Sequence, residues 1–65
     1  MNRRELQIFR LIGQGVTTKA IASTLSLSRH TIDAHRENIK RKMGIESATE
    51  LLKQAIEWLR QQDQA

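Results

Sequence analysis

Cysteine is absent from these 65 residues, so neither a disulfide nor a thiolate zinc site can brace the fold. Proline is absent too, and the three glycines all fall within the first 44 residues. Phe9 and Trp58 are the sole aromatics. Apolar runs stop at two or three residues, against the roughly 20 that a membrane-spanning helix needs. No 7–15-residue apolar stretch follows the basic start, so no secretory leader is expected. Length alone rules out most large enzyme folds, because a chain this small buries only about 60% of its unfolded surface. A single small domain in a reducing compartment is the expectation.

The composition that remains is that of a soluble domain, 38% apolar and 28% charged, with a net charge of +4. That charge is unevenly spread. Arg3, Arg4, Arg10 and Lys19 face only Glu5 in the first 25 residues, and Arg29, Arg36, Lys40, Arg41 and Lys42 outnumber Asp33 and Glu37 in the middle. After Gly44 the balance reverses, with Glu46, Glu50, Glu57 and Asp63 against Lys53 and Arg60. A basic body favours a polyanionic partner, usually nucleic acid.

Apolar residues recur at intervals of three and four throughout, which predicts an all-α chain of four helices. The first spans about Arg3–Gln14, with Asn2 and Glu5 as a capping box, Met1 and Leu6 as a staple, and a stripe of Leu6, Ile8, Phe9 and Ile12. Gly15 is placed to end it in a left-handed turn. A short second helix, capped by Thr17 or Thr18, turns Ile21, Ala22 and Leu25 inward and ends near Leu25. Ser26-Leu27-Ser28 reads as a tight corner, with Leu27 plugging the core and Ser28 capping the third helix. That helix runs from about Arg29 to Met43, with Ile32, His35, Ile39 and Met43 on its inner face and Gly44 as its stop. The fourth starts at Ser47, with Glu50 completing a second capping box. Its apolar face of Leu51, Leu52, Ala55, Ile56 and Leu59 is wider than one packing edge requires. The tail Gln61–Ala65 is expected to fray.

A short helix, a three-residue corner and a longer helix with one apolar and one basic face read as a helix-turn-helix over about residues 18–37. In that motif the second helix enters the major groove with its N-terminal residues at the base edges, while flanking cations and helix N-termini meet phosphates. His30 and His35 do not make a metal site. Five residues along a helix is about 140° of rotation, and no further ligand completes a set. His35 is expected to be a hydrogen-bonded structural histidine. Lys40-Arg41-Lys42 suits a helix C-terminus, with Arg41 and Lys42 solvated. Trp58 either finishes the core or lies near a partner. Gly13 and Gly15 alone are no phosphate loop, and no side chain is paired with a base as a nucleophile would need. No enzyme and no cofactor is expected.

Arg4-Glu5, Leu11-Ile12-Gly13-Gln14-Gly15, Lys19-Ala20-Ile21-Ala22, Leu25-Ser26-Leu27-Ser28, Thr31-Ile32, His35-Arg36-Glu37-Asn38-Ile39 and Lys42-Met43-Gly44-Ile45 occur in one order. Together they resemble the LuxR/NarL-type DNA-binding domain, the output domain of bacterial response regulators and quorum-sensing regulators. The resemblance covers about residues 1–60, and the whole chain is expected to be one such domain. It implies a compact four-helix fold and sequence-specific binding of double-stranded DNA in transcription regulation, within the bacterial cytoplasm at the nucleoid. By the resemblance, His30, Asp33, Ala34 and Glu37 face bases. Lys19, Arg29, Thr31, Arg36 and Lys40 meet phosphates. Leu52 and Ile56 on the fourth helix make the contact of a homodimer. An N-terminal receiver or ligand-binding domain belongs to many members, and the abrupt start here fits a fragment of a longer regulator.

Two departures stand out. Several members carry a basic residue where this chain has Asp33 and another where it has Glu37. Either the DNA site differs, so that a carboxylate accepts from cytosine N4, or these side chains face solvent or pair with basic neighbours such as Arg41. The acidic pair also admits an alternative, a protein-interaction module that kept the fold and lost the DNA. Met1-Asn2-Arg3 stands where the family has Leu-Thr or Leu-Ser, with staple and cap chemistry retained.

Overall fold

A computed structural model describes residues 1–63 of the chain, and Gln64 and Ala65 lie outside the described residues. Four helices follow one another: α1 Arg3–Gly13, α2 Thr18–Leu25, α3 Arg29–Met43 and α4 Ala48–Asp63. There is no strand among the described residues. The fraying expected of the tail does not extend over Gln61 to Asp63, which continue α4.

Three corners join the helices by one device. At each, a residue in the left-handed region ends a helix: Gly15 at φ 83°, Ser26 at φ 57° and Gly44 at φ 69°. The next residue is apolar and its N–H reaches back five positions. Val16 donates to the Leu11 carbonyl at 3.1 Å, Leu27 to Ala22 at 2.9 Å and Ile45 to Lys40 at 2.8 Å. These are Schellman closures, and their apolar residues, Val16, Leu27 and Ile45, are half-buried against the core. A hydroxyl cap then opens the following helix. Thr17 Oγ1 accepts from Ala20 N–H at 3.2 Å, Ser28 Oγ from Thr31 at 3.0 Å and Ser47 Oγ from Glu50 at 3.0 Å. Chain direction is thus set by local chemistry before any helix packs.

The core is Ile8, Phe9, Ile12, Ile21, Ala22, Ile32, Ile39, Leu51 and Ala55. Helix α1 lies at its centre and touches all three others, and α2 packs on α3. Gly13 permits the α1–α4 contact. A Cβ there would come within 2.6 Å of the Ala55 carbonyl oxygen, a backbone atom that cannot swing aside. Trp58 of α4 finishes the core edge, tilted 54° against Phe9 with ring centroids 5.4 Å apart. The Arg10 guanidinium lies over the Trp58 ring, 5.5 Å from its centroid.

Several expectations need correction. The buried stripe of α1 is Glu5, Ile8, Phe9 and Ile12, a regular three-and-four spacing. Leu6 falls about 100° from Glu5 and remains exposed, as does Met1, so neither belongs to the core. Met43 is exposed in the last turn of α3. His35 does face inward, but its buried Nδ1 has no hydrogen-bond partner, contrary to the expectation of a bonded histidine. Asn2 and Glu5 form the full capping box, at 2.8 and 3.4 Å. At α4 the Ser47 half of the second box forms, while Glu50 Oε1 accepts from Gln54 at 3.1 Å.

Candidate nucleic-acid interface

Helix α3 is divided lengthwise by its burial. Ile32 and Ile39 are fully buried and His35 faces the same way. On the opposite side His30, Asp33, Ala34 and Glu37 are all exposed and fall within an arc of about 100° around the axis. This is the set expected to face bases, and the structure brings it onto one stripe. Arg41 continues that stripe one turn beyond Glu37. The sequence reading had treated it as an ordinary solvated helix end, yet its four-residue spacing from Glu37 was the available signal.

Arg29, Arg36 and Lys40 lie along one flank of the stripe, spaced seven and four residues apart. This flank faces the start of α2, because the Arg36 guanidinium donates to Thr18 Oγ1. Lys19 is exposed beside Thr18. Thr31 is on the other flank, half-buried, with its hydroxyl 2.9 Å from Ser28 Oγ. Of the five residues expected at phosphates, Arg29, Arg36 and Lys40 therefore share the α2-facing edge of α3, Lys19 is exposed on α2 itself, and Thr31 stands across the stripe.

Two ion pairs differ from expectation. Glu37 pairs with Lys40 at 3.1 Å, and Arg41 donates to Asn38 Oδ1 at 3.4 Å, so the Glu37–Arg41 pair does not form. Lys42 is not a free solvated cation. Its Nζ lies 2.6 Å from Oε1 of Glu5, whose side chain is only 3% exposed. This bond pins the end of α3 to the start of α1. The Lys42 hydrogen bond holds the Glu5 carboxyl below its usual 4.5, against the upward push of burial and with help from the Asn2 N–H. A glutamate on the buried spacing of α1 was the missed signal, since such a group needs a partner.

Helix α4 turns Leu51 and Ala55 into the core and leaves Leu52 and Ile56, one turn apart, each 41% exposed. The expected dimer residues thus form an apolar edge available to a partner. No group of three or more metal-ligating side chains occurs among the described residues, and no described helix is long and apolar enough to cross a membrane.

A short α2, a Schellman corner and an α3 with opposed buried and polar faces define a helix-turn-helix domain. The chain belongs to the family described as bacterial regulatory proteins, luxR family, which matches residues 1–55. Over 56 residues it is 45% identical to the uncharacterized response regulatory protein YgeK of Escherichia coli (strain K12), covering 86% of this chain and 38% of that protein. It is 39% identical over 56 residues to the oxygen regulatory protein NreC of Staphylococcus aureus (strain JH9), covering 86% of this chain and 26% of that one. The chain therefore spans well under half the length of these curated relatives. No solved structure matches it. The fold and family are those of a regulatory DNA-binding domain rather than of an enzyme.

Proposed function

We propose that this chain binds double-stranded DNA sequence-specifically as the output domain of a bacterial transcription regulator, with α3 in the major groove. The observation that carries this reading is the division of α3: an exposed polar stripe of His30, Asp33, Ala34 and Glu37 beside a flank of Arg29, Arg36 and Lys40. The stripe faces bases, and that flank, with Lys19 and the Thr31 hydroxyl, faces phosphates. Arg36 acts in two ways, because its bond to Thr18 also fixes α2 against α3. Two copies meet on DNA through Leu52 and Ile56, which supports binding to paired half-sites. The relatives' greater length, and the response-regulator name of one, support control by a receiver domain elsewhere in a longer protein. Action on the nucleoid in the cytoplasm follows from this reading.

The test is an anisotropy titration of labelled duplexes against salt. Affinity should fall with log salt at a slope near −0.9 for each phosphate engaged. Arg36→Ala and Lys40→Ala should each weaken binding to every sequence, and Lys40→Ala should lower the slope by about 1. Leu52→Asp should remove cooperative occupation of paired half-sites while leaving single-site binding. A chain that ignores every duplex at moderate salt yet pairs through α4 would instead be a protein-interaction module.

A further inference from the structure

The sequence treats Asp33 and Glu37 alike, as two carboxylates on a face expected to meet an anionic helix. The structure separates them. Glu37 lies 3.1 Å from Lys40, so its charge is compensated within α3 before any DNA arrives. Asp33 is exposed and takes part in no ion pair or side-chain hydrogen bond among the described residues. It is the fifth residue of α3, in the stretch that meets base edges when such a helix enters the groove, whereas Glu37 is a turn deeper into the helix. Beside it on the stripe is Ala34, whose methyl lets the helix approach closely enough for a short aspartate to reach a base.

We propose that Asp33 is the specificity residue of this domain, accepting a hydrogen bond from the N4 amino group of a cytosine, and that Glu37 does not read a base. This rests on the DNA-binding reading above. An uncompensated carboxylate carried between two rows of phosphates is repelled by them, and only a direct donor offsets that cost. Guanine N7 and O6 and thymine O4 are acceptors and add repulsion. Adenine sets its N7 acceptor beside its N6 donor, against the second carboxylate oxygen. Cytosine N4 offers a donor with no acceptor of its own base beside it in the major groove, and a carboxylate is its natural partner.

The experiment selects binding sites from a randomised duplex library with the 65-residue chain and with Asp33→Ala, Asp33→Asn and Glu37→Gln, the thermal midpoint of each being recorded to show that it is folded. The unaltered chain should fix a cytosine at one position of each half-site. Asp33→Ala should relax that position alone, Asp33→Asn should move it to adenine, and Glu37→Gln should leave it in place. Replacing the selected cytosine by an analogue lacking the N4 amino group should weaken the unaltered chain roughly five- to a hundred-fold and hardly affect Asp33→Ala. If Asp33→Ala tightens binding to all duplexes and keeps the same preferred site, Asp33 only repels DNA and the proposal fails while DNA binding stands. Loss of the cytosine in Glu37→Gln instead would assign the reading to the other carboxylate. A chain that selects no sequence at all overturns the DNA-binding reading together with this one.

Discussion

The molecule contains two glutamate–lysine pairs joined by nearly the same chemistry, but in one the carboxylate is the buried member and in the other the lysine is. Glu5 and Lys42 are 37 residues apart, and the carboxylate is buried between α1 and α3. Glu37 and Lys40 are three residues apart on one helix, with the glutamate side chain 64% and the lysine side chain 16% exposed. The first pair closes a tertiary contact and leaves a buried carboxylate stranded if Lys42 is lost, whereas Lys42 itself is half-exposed. The second is local to one helix, with its carboxylate in solvent, and its importance lies in what it does to the field on the polar stripe. A buried carboxylate bonded across two helices belongs to stability, and an exposed carboxylate bonded within one helix belongs to recognition.

The largest effect is expected from removing the buried member. Glu5→Gln keeps the shape and the cap geometry but leaves Lys42 without its counter-ion, and should lower the thermal midpoint several times more than Glu37→Gln does. Acid provides the same test without mutation. The Glu5 carboxyl is held below its ordinary value of 4.5, so the bound proton is disfavoured in the folded state. Its contribution to stability is complete above the unfolded value and is lost as pH falls through the lower folded one. A plot of midpoint against pH should therefore drop below about pH 4.5 in the unaltered chain and be flatter there in Glu5→Gln. Equal slopes would mean that the pair is structurally incidental.

The two lysines, both near the end of α3, sharpen the contrast further. Lys42→Ala should lower the thermal midpoint and leave the preferred DNA sequence unchanged. Lys40→Ala should barely move the midpoint and should weaken binding to all duplexes. If both variants lose affinity in parallel with stability, the division of α3 into a structural and a DNA-facing edge is wrong.

The same division explains what the sequence could and could not reveal. Helix bounds and corners were legible because they depend on neighbours. Asn2, Thr17, Ser28 and Ser47 cap, Gly15 and Gly44 stop, and Leu27 plugs its corner, each through a partner within five residues. The stripe of His30, Asp33, Ala34 and Glu37 was chosen through the resemblance to the LuxR/NarL-type domain, and helix period shows only that the four share an arc of about 100° opposite the buried face. The Glu5–Lys42 and Arg36–Thr18 bonds were not legible, because they join residues 37 and 18 positions apart. Gly13 fell inside the first helix with no role to read from its neighbours, and only the approach of Ala55 shows that it is there for want of a side chain. Leu6 and Met43 were misplaced because an apolar residue at a stripe's margin satisfies helical spacing nearly as well as one at its centre.

The smallest expected change is the most discriminating. Glu37→Gln removes the exposed charge of a pair within one helix and should alter stability by no more than about 0.5 kcal/mol. Its effect on DNA is predicted to be larger and of opposite sign. Lys40, only 16% exposed and no longer compensated, would present its full charge to phosphate from the α2-facing flank. Affinity should rise for all duplexes, the salt dependence should steepen, and the preferred sequence should stay the same. Measured beside Asp33→Ala, that outcome separates a carboxylate that tempers a cation from one that reads a base. A Glu37→Gln chain with unchanged affinity and salt slope would show that Lys40 does not meet phosphate, and the cationic flank would then shorten to Arg29, Arg36 and Lys19.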